Sequence, residues 1–570
     1  MTTVAVLGGG VAGLSAAHEL AERGFEVTVY EQRDAPGGKA RSIPYAGSGK
    51  DGRADLPGEH GFRFFPGFYR HLPDTMGRIP IGSQPARTVR DHLVGATRIL
   101  FAQAGGPNEI IAPAHLPESA EDFAVFARFL RDASIRVGVP PHEYAVLVER
   151  LLTLLTSCDE RREQQWDLQS WWDYTGAERR SAAFQRFLAD GLTRTLVAAR
   201  GREMSARTGG LVLVQLVQDL TRAGGRADRV LDAPTSEVWI DPWVAHLDSL
   251  GVELRLGEPV EALHLQGGRI GGATVAGRTV RADHYVAALP VEVMRLLASP
   301  ALRAAEPRLN GLDRLVTRWM NGVLVYLDRD VELVNGHAIY VDSEWSLTSI
   351  SQKQFWPDVD LSRRGDGRTR GILSIDVSEW QRPGKRTGKV AQLCSREEIF
   401  EEVWGQLEDH LDDQLAGVTV LDRFLDPAIV FPNPTSAANL EPLLVNTAGS
   451  WSDRPDAATR IPNLFLASDY VRTHTDLATM EAANEAARRA VNAILDATRS
   501  SARRCAVWPL REPAAFAAAR ALDRVRWRLF RRPPKPPLQV TESGEVRPSG
   551  PVARLLLGAP RLLRRPRAGG

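Results

Sequence analysis

The densest run of chemically suggestive residues stands near the amino terminus, where Gly8, Gly10 and Gly13 fall in a GxGxxG spacing directly after Thr3-Val4-Ala5-Val6-Leu7. That short apolar run, rich in β-branched side chains, suits a strand buried on both faces of a parallel sheet. Leu14, Ala16, Ala17, Leu20 and Ala21 follow at helical spacing, and Glu26-Val27-Thr28-Val29-Tyr30 predicts a second strand ending at Glu31. In such a unit Gly8 permits a tight turn, Gly10 lets the backbone approach a pyrophosphate, and Gly13 lets the helix sit close to the strand. The helix start offers N–H groups and a positive dipole end to phosphates. Glu31 is placed to accept hydrogen bonds from ribose hydroxyls, and its charge disfavours a 2′-phosphate. The unit predicts a dinucleotide site and leaves FAD or NAD open.

Other segments must complete such a domain. Gly37-Gly38 marks a tight turn, and Arg41 follows where a cation could reach the same pyrophosphate. Residues 251–256 and 259–263 predict two strands, and 281–290 a third. Gly267, Gly268, Gly271 and Gly272 read as hairpin turns. About 400 residues beyond the first motif, the run from Ile461 reads as a buried strand ending at the acid Asp469. A helix is predicted from near Asp476 through Leu495. No second GxGxxG stands in a strand–helix–strand context, which argues against a built-in NAD(P)H site; oxygen, a quinone or another acceptor is expected to reoxidise the protein.

Residues 37–42 resemble the GGxxR[ST] element of the large FAD-dependent family that includes amine oxidases, carotenoid desaturases and squalene-modifying enzymes. Residues 59–69, Glu-His-Gly-Phe-Arg-Phe-Phe-Pro-Gly-Phe-Tyr, are similar to the loop that follows it in the desaturase branch. The resemblance covers most of residues 1 to 498. It implies FAD as cofactor, contacted by Gly8, Gly10, Val11, Ala12, Gly13, Glu31, Gly38, Lys39, Arg41, Val260, Asp469, Thr479 and Met480. In the family the acid matched by Asp469 bonds the ribityl and pyrophosphate part, and a backbone matched by Val260 lies near the adenine. The helix start at Thr479 and Met480 faces the flavin pyrimidine, where a positive dipole end stabilises the negative charge that reduction brings. Ser468, Ala482 and Ala486 stand where the family often has glycine, and each adds a Cβ at a crowded position that bears on the flavin's pose.

The expected fold is α/β: a discontinuous Rossmann-like FAD-binding domain with a second α+β substrate-binding domain carrying a helical cap. Residues 1–75, 226–300 and 441–500 are assigned to the first, 76–225 (the cap) and 301–440 to the second, and 501–570 to a basic tail. Residues 120–130, 144–155 and 211–217 carry the helical pattern of the cap. Three aromatic segments, 231–243, 345–356 and 444–451, lean towards the desaturase branch, which includes bacterial carotenoid and hydroxysqualene oxidoreductases. Their Trp and Phe side chains are read as core residues, or as the lining of an apolar tunnel to the flavin. The implied reaction removes a hydride and a proton from adjacent carbons of a lipophilic, isoprenoid, carotenoid or squalene-like substrate. The alternative is a flavin amine oxidase that releases hydrogen peroxide; a non-redox use of FAD is a third reading. His60 is the first acid–base candidate, as against a loop-organising histidine, with Arg63 and Tyr69 behind it.

At 570 residues the chain exceeds one hydrophobic core. Cys158, Cys394 and Cys505 are widely spaced, so neither disulfide framework nor metal site is expected, and a reducing, cytoplasmic compartment is. No signal-peptide pattern opens the sequence, and no apolar run is long enough for a bilayer. From Ser501 onward sixteen Lys or Arg face four Asp or Glu, a net +12, so the first 500 residues carry −11 of the total +1. In that tail Pro513 starts a helical pattern in which Phe516, Ala519, Leu522, Val525 or Trp527 and Leu529 or Phe530 share a face; prolines from Pro533 stop it. Leu555–Leu557 and Leu562-Leu563 repeat the theme. This predicts peripheral attachment to an anionic membrane, on its inner face, rather than nucleic acid binding, for which no fold motif is present.

Overall fold

The computed structural model describes residues 1–82, 87–106, 108–111, 131–132, 134–135, 137–191, 199–220, 228–531, 538–542 and 546–550. The chain divides into two units: Met1–Ile111 with Asp228–Asn446 and Ser452–Pro509, and Ala112–Ala227 with Thr447–Trp451 and Leu510–Gly570.

In the first unit the apolar runs form a five-stranded parallel sheet, in the order Leu464–Leu466, His284–Ala287, Thr3–Leu7, Glu26–Tyr30, Glu253–Arg255. Leu7 lies in register with both Ala287 and Tyr30, and Ala287 with Leu466, so the strand ends align although their segments are far apart in sequence. The helices Val11–Ala21 and Met480–Thr498 pack together through small side chains: Ala16, Ala17, Ala486, Ala487 and Ala490 are all fully buried. Asn484 fixes that pairing, its amide donating to Ser15 Oγ at 2.8 Å and Thr75 Oγ1 at 3.0 Å. The strand Val260–Gln266 turns into Arg269–Val275 through Gly267 and Gly268, both at positive φ. Gly271 and Gly272, expected in turns, lie inside the second strand instead. The register slips between Ile270 and Gly272, and a Cβ on Gly271 would overlap the Gln266 side chain, so these glycines serve a bulge.

A seven-stranded sheet belongs to the same unit, in the order Val420–Leu425, Asn321–Leu327, Gly371–Val377, Leu347–Ser351, Gly336–Tyr340, Arg98–Ala102, Glu109–Ile111. It is antiparallel except between Gly336–Tyr340 and Arg98–Ala102. Alternation sends Leu373, Ile375 and Val377 into one core with the helix Arg396–Leu411, and Leu324, Ile350 and Ile372 into another with Phe62 and Trp356. Trp345 lies in the first of these cores, and Trp239 stacks on Trp243 at 6.1 Å, all buried. These aromatics act as core residues.

Where described, the second unit has the helices Pro141–Thr156, Trp171–Thr175 and Ala206–Leu220, which enclose Tyr144, Leu151, Trp171 and Phe184, and an antiparallel strand pair, Leu538–Val540 with Val546–Pro548. The predicted helix at 120–130 and the leucines at 555–557 and 562–563 lie outside the described residues. Among the described residues no helix is long and apolar enough to cross a membrane. Pro513 precedes a single 3-10 turn, and the tail's α-helix begins at Ala517 and ends at Phe530. Phe516 and Trp527 turn inward with Asp523, which takes Arg161 Nε and Nη2 at 3.0 Å each and the Cys158 N–H at 2.9 Å. Arg161 also lies over the Trp527 ring, 4.7 Å from its centre. Asp523→Ala removes the carboxylate from a buried pair and should cost about 3–5 kcal/mol, read by urea unfolding; a loss below about 1 kcal/mol would mean the pair does not anchor the helix.

Candidate cofactor and active site

The strand–helix turn is shaped by backbone contact. Gly8 has φ 106°, and a Cβ there would lie 2.5 Å from Ala288 O; a Cβ on Gly13 would overlap Gly8 O. Gly38 faces Gly10, with only 3.0 Å between a Cβ on the one and the Cα of the other, and Gly37 N–H donates to Gly9 O at 2.8 Å. Two glycine loops thus meet backbone to backbone. No side chain caps the helix at Gly10, which leaves the first-turn N–H groups of Val11, Ala12 and Gly13 outside the intrahelical ladder. Glu31 is buried, with Oε2 accepting from Gly9 N–H at 2.8 Å and Oε1 from Arg33 N–H at 3.0 Å, and each oxygen keeps further acceptor capacity. A cradle that Cβ atoms would fill, uncapped helical N–H groups and a buried carboxylate make a donor and acceptor set that fits an adenine dinucleotide.

Charged residues surround this cradle. Arg41 Nη1 donates to Gly38 O at 2.6 Å, and its guanidinium lies 3.5 Å from Glu441, which also pairs with Arg33. Burial makes Arg41 a weaker base than usual, with Glu441 acting against that. Lys39 donates to Pro442 O and lies 3.7 Å from Glu292. Burial raises the Glu292 carboxyl, Lys39 opposes the rise and Asp469 adds to it, so these three share one electrostatic neighbourhood. Val260 is partly buried at the start of its strand, two residues after Glu258, whose N–H donates to Glu31 O at 2.8 Å.

The loop after the last sheet strand is held by Arg454, a residue no pattern marked. Its buried guanidinium donates to Tyr470 O at 3.0 Å and to Asp469 O and Val471 O at 2.8 Å, and pairs with Asp476. Asp476 sits at φ 45°, which bends the chain and delays the predicted helix to Met480, where Thr479 Oγ1 caps Ala482 N–H at 3.2 Å. Ser468 Oγ donates to Asp469 Oδ1 at 3.3 Å, and Ala482 and Ala486 are fully buried within the helix packing. Glu481 in turn accepts from the N–H groups of Arg70, His71 and Leu72 and from His71 Nδ1, capping the helix His71–Met76. Tyr69 is buried and hydrogen-bonded to Thr479; burial, with the Glu481 charge, pushes its phenol far above the usual value.

In the Glu59–Tyr69 loop, Arg63 donates to Ala40 O at 3.1 Å and to Lys39 O at 2.6 Å, tying the loop to the glycine turn. His60 is buried with Nδ1 2.5 Å from Asp426 Oδ2, while its Nε2 has no hydrogen-bond partner among the described residues. Burial works to raise Asp426, but His60, the Ala428 N–H and the Asn321 amide together hold it below the ordinary carboxylate value. No sequence pattern marks Asp426, or Asp376, whose carboxyl burial raises to about 7 against the pull of Arg63 and the Phe62 N–H, with Asp426 and Glu59 adding to the rise. Asp228, beside Tyr69, is likewise raised to about 7 by burial. Thus His60 and Arg63 share a neighbourhood with Asp376, whereas Tyr69 belongs to the Thr479 helix start. His18, Glu22 and His246 also bring ligand atoms within 4.8 Å of one another. There His18 Nδ1 accepts from Trp243 Nε1 at 3.1 Å, so its Nε2 carries the proton, donates to Glu22 at 3.0 Å and offers no lone pair.

A parallel sheet assembled from three distant segments, a bare helix start at a glycine cradle and a second, mostly antiparallel sheet in the same unit define a dinucleotide-dependent oxidoreductase. Residues 11–495 match the family described as flavin containing amine oxidoreductase, and the chain belongs to that family. It is an FAD-dependent oxidoreductase. It is similar to the 15-cis-phytoene desaturase of Arabidopsis thaliana, with 25% identity over 84% of this chain and 77% of the relative. To the 15-cis-phytoene desaturase of Synechococcus elongatus it is 24% identical, over 86% of this chain and 95% of the relative. In fold it matches wild-type putrescine oxidase bound to putrescine, with a TM-score of 0.59 at 13% identity, covering 87% of this chain and 99% of that one.

The two raised carboxyls set a pH dependence. Between pH about 4 and 7 the folded protein holds protons on Asp376 and Asp228 that the unfolded chain has lost, so these groups make stability fall as pH rises through that window. Asp376→Asn should remove its share: relative to the variant, the wild type loses up to about 1.4 kcal/mol per pH unit between pH 4 and 7 in urea unfolding. Parallel curves would contradict the assignment.

Proposed function

We propose that this oxidoreductase removes a hydride and a proton from adjacent carbons of a long isoprenoid-type substrate, leaving a double bond. The observation that supports this most is that relatives similar along most of both chains are carotenoid desaturases, while the match to an amine oxidase is one of fold. FAD, when bound, supplies the two-electron acceptor. The glycine cradle, the N–H groups of Val11, Ala12 and Gly13, and Glu31 would hold its adenosine and pyrophosphate, with Val260 near the adenine. Gly38, Lys39, Arg41 and Asp469 would serve the pyrophosphate and ribityl chain, and the Thr479–Met480 helix start the flavin ring. His60 takes the substrate proton at Nε2, and the Asp426 carboxylate beside Nδ1 stabilises the charged ring that results. Arg63 holds the loop, and Tyr69, kept protonated by burial, donates a hydrogen bond rather than acting as base. Oxygen, a quinone or another acceptor then reoxidises the protein.

Anaerobic mixing with polyenes, squalene derivatives and amines tests the reading by flavin bleaching. Bleaching by an isoprenoid is expected; bleaching by amines alone would favour amine oxidation. His60→Ala should slow reduction at least about a hundredfold with FAD retained, and an unchanged rate would remove His60 from the proton transfer.

We also propose that the protein attaches peripherally to an anionic membrane, on its cytoplasmic side, through the tail helix. With Phe516 and Trp527 turned inward, the outer surface is Val525, 52% exposed, Leu529, 68% exposed, and Phe530, beside exposed Arg526, Arg528 and Arg531. Apolar residues framed by arginines suit anionic lipid. The double variant Val525→Asp with Leu529→Asp should no longer pellet with phosphatidylglycerol liposomes while keeping its FAD; undiminished pelleting would contradict this.

A further inference from the structure

The seven-stranded sheet carries an unusual feature on one face. Pairing places Thr348 opposite Asp376 and Asp376 opposite Gly322, with Ile350, Ser374 and Leu324 in the next row. Thr348, Ser374 and Asp376 therefore share the face of Leu324, Ile350 and Ile372, opposite the one that packs on the Arg396–Leu411 helix. His337 lies on the same face, against the rings of Phe62 and Phe64 at 5.2 and 5.1 Å. The Glu59–Arg63 loop covers it: a Cβ on Gly322 would meet Gly61 Cα at 2.9 Å, and a Cβ on Gly61 would meet Asp376 Oδ1 at 2.5 Å.

All of these polar side chains are more than nine-tenths buried. Yet Thr348 Oγ1, Ser374 Oγ, Asp376 Oδ1, His337 Nε2 and His60 Nε2 have no hydrogen-bond partner among the described residues. Burying one such atom unpaired is unfavourable, and five near one sheet face is far from the ordinary pattern, in which buried polar atoms are satisfied. The core that adjoins them is apolar, with Phe62, Ile350, Ile372 and Trp356. Apolar walls with a few convergent polar atoms are what a ligand site looks like, and the polar atoms report which groups the ligand carries.

We propose that this sheet face binds an oxygen function, a hydroxyl or carbonyl, on an otherwise apolar substrate. Thr348 and Ser374 can donate or accept, Asp376 can meet a hydroxyl, and His60 Nε2 lies on the loop that covers the row. The proposal rests on the lipophilic-substrate reading above and sharpens it: a pure hydrocarbon would leave these atoms unpaired, whereas an isoprenoid alcohol or ketone would pair them.

Binding to the oxidised holoenzyme, followed by flavin absorbance and tryptophan fluorescence, tests this without turnover. The probes are geranylgeraniol and the hydrocarbon of the same skeleton without the hydroxyl. The alcohol should bind at least about tenfold more tightly, because a site built to hydrogen-bond a hydroxyl discriminates against its absence. Thr348→Val and Ser374→Ala should each cut that preference by about threefold or more and leave hydrocarbon affinity unchanged. Neither variant should lower the melting temperature, since each removes an atom without a partner among the described residues. Equal affinity for the two probes, an unaltered preference in both variants, or a marked fall in melting temperature would overturn the proposal. If neither probe binds while amines bleach the flavin, the lipophilic-substrate reading fails and this inference with it; if both bind equally, only the polar site fails.

Discussion

The contact between Gly13 and the carbonyl of Gly8 sets the terms for the first unit. There is no space for a Cβ between them, so the helix starts directly against the end of its strand and presents its N–H groups outward. The second glycine turn, brought against the first through Gly37 and Gly9, closes the cradle, again by leaving out side chains. The affinity of such a site for phosphates comes from backbone groups that cost nothing to reorganise, provided the loops stay where they are.

Keeping them there falls to buried charge. Glu481 at the start of the last long helix caps the His71 helix, Arg454 gathers three carbonyls of the loop after Asp469, and Arg488 ties Asn484, Thr75 and Asp74 together. Each is almost completely buried and well hydrogen-bonded, which is the condition under which an interior charge is tolerable. Such residues define geometry more than they add stability. The unmatched polar row of the seven-stranded sheet is the opposite case. There the protein buries hydrogen-bonding atoms that have no partner among the described residues, an arrangement that suits a site for an outside group.

Much of this architecture could be read from the sequence because its signals are local. The strand–turn–helix–strand unit at residues 3–31 shows in periodicity, and the strands near 284 and 464 show as apolar runs beside turn residues. What was hidden depends on partners far apart in the chain: Asp426 beside His60, Glu441 beside Arg33 and Arg41, Arg454 beside Asp476. No spacing rule links residues that meet only after folding. Local signals also misled where tertiary contact decided the outcome. Gly271 and Gly272 look like turn residues but relieve a crowded bulge. Phe516 and Trp527 look like one apolar face of a surface helix, but the buried Asp523–Arg161 pair turns that face inward.

The claim on which the rest depends is that the glycine cradle holds FAD, and the most direct measurement is the flavin content of the purified protein beside that of Gly13→Ala. The account predicts stoichiometric FAD, with its oxidised absorbance, in the wild type, and loss of FAD in the variant, whose new Cβ would force the helix from the strand. A wild-type protein that neither carries flavin nor takes it up on reconstitution, or a variant that binds FAD as well as the wild type, would contradict it.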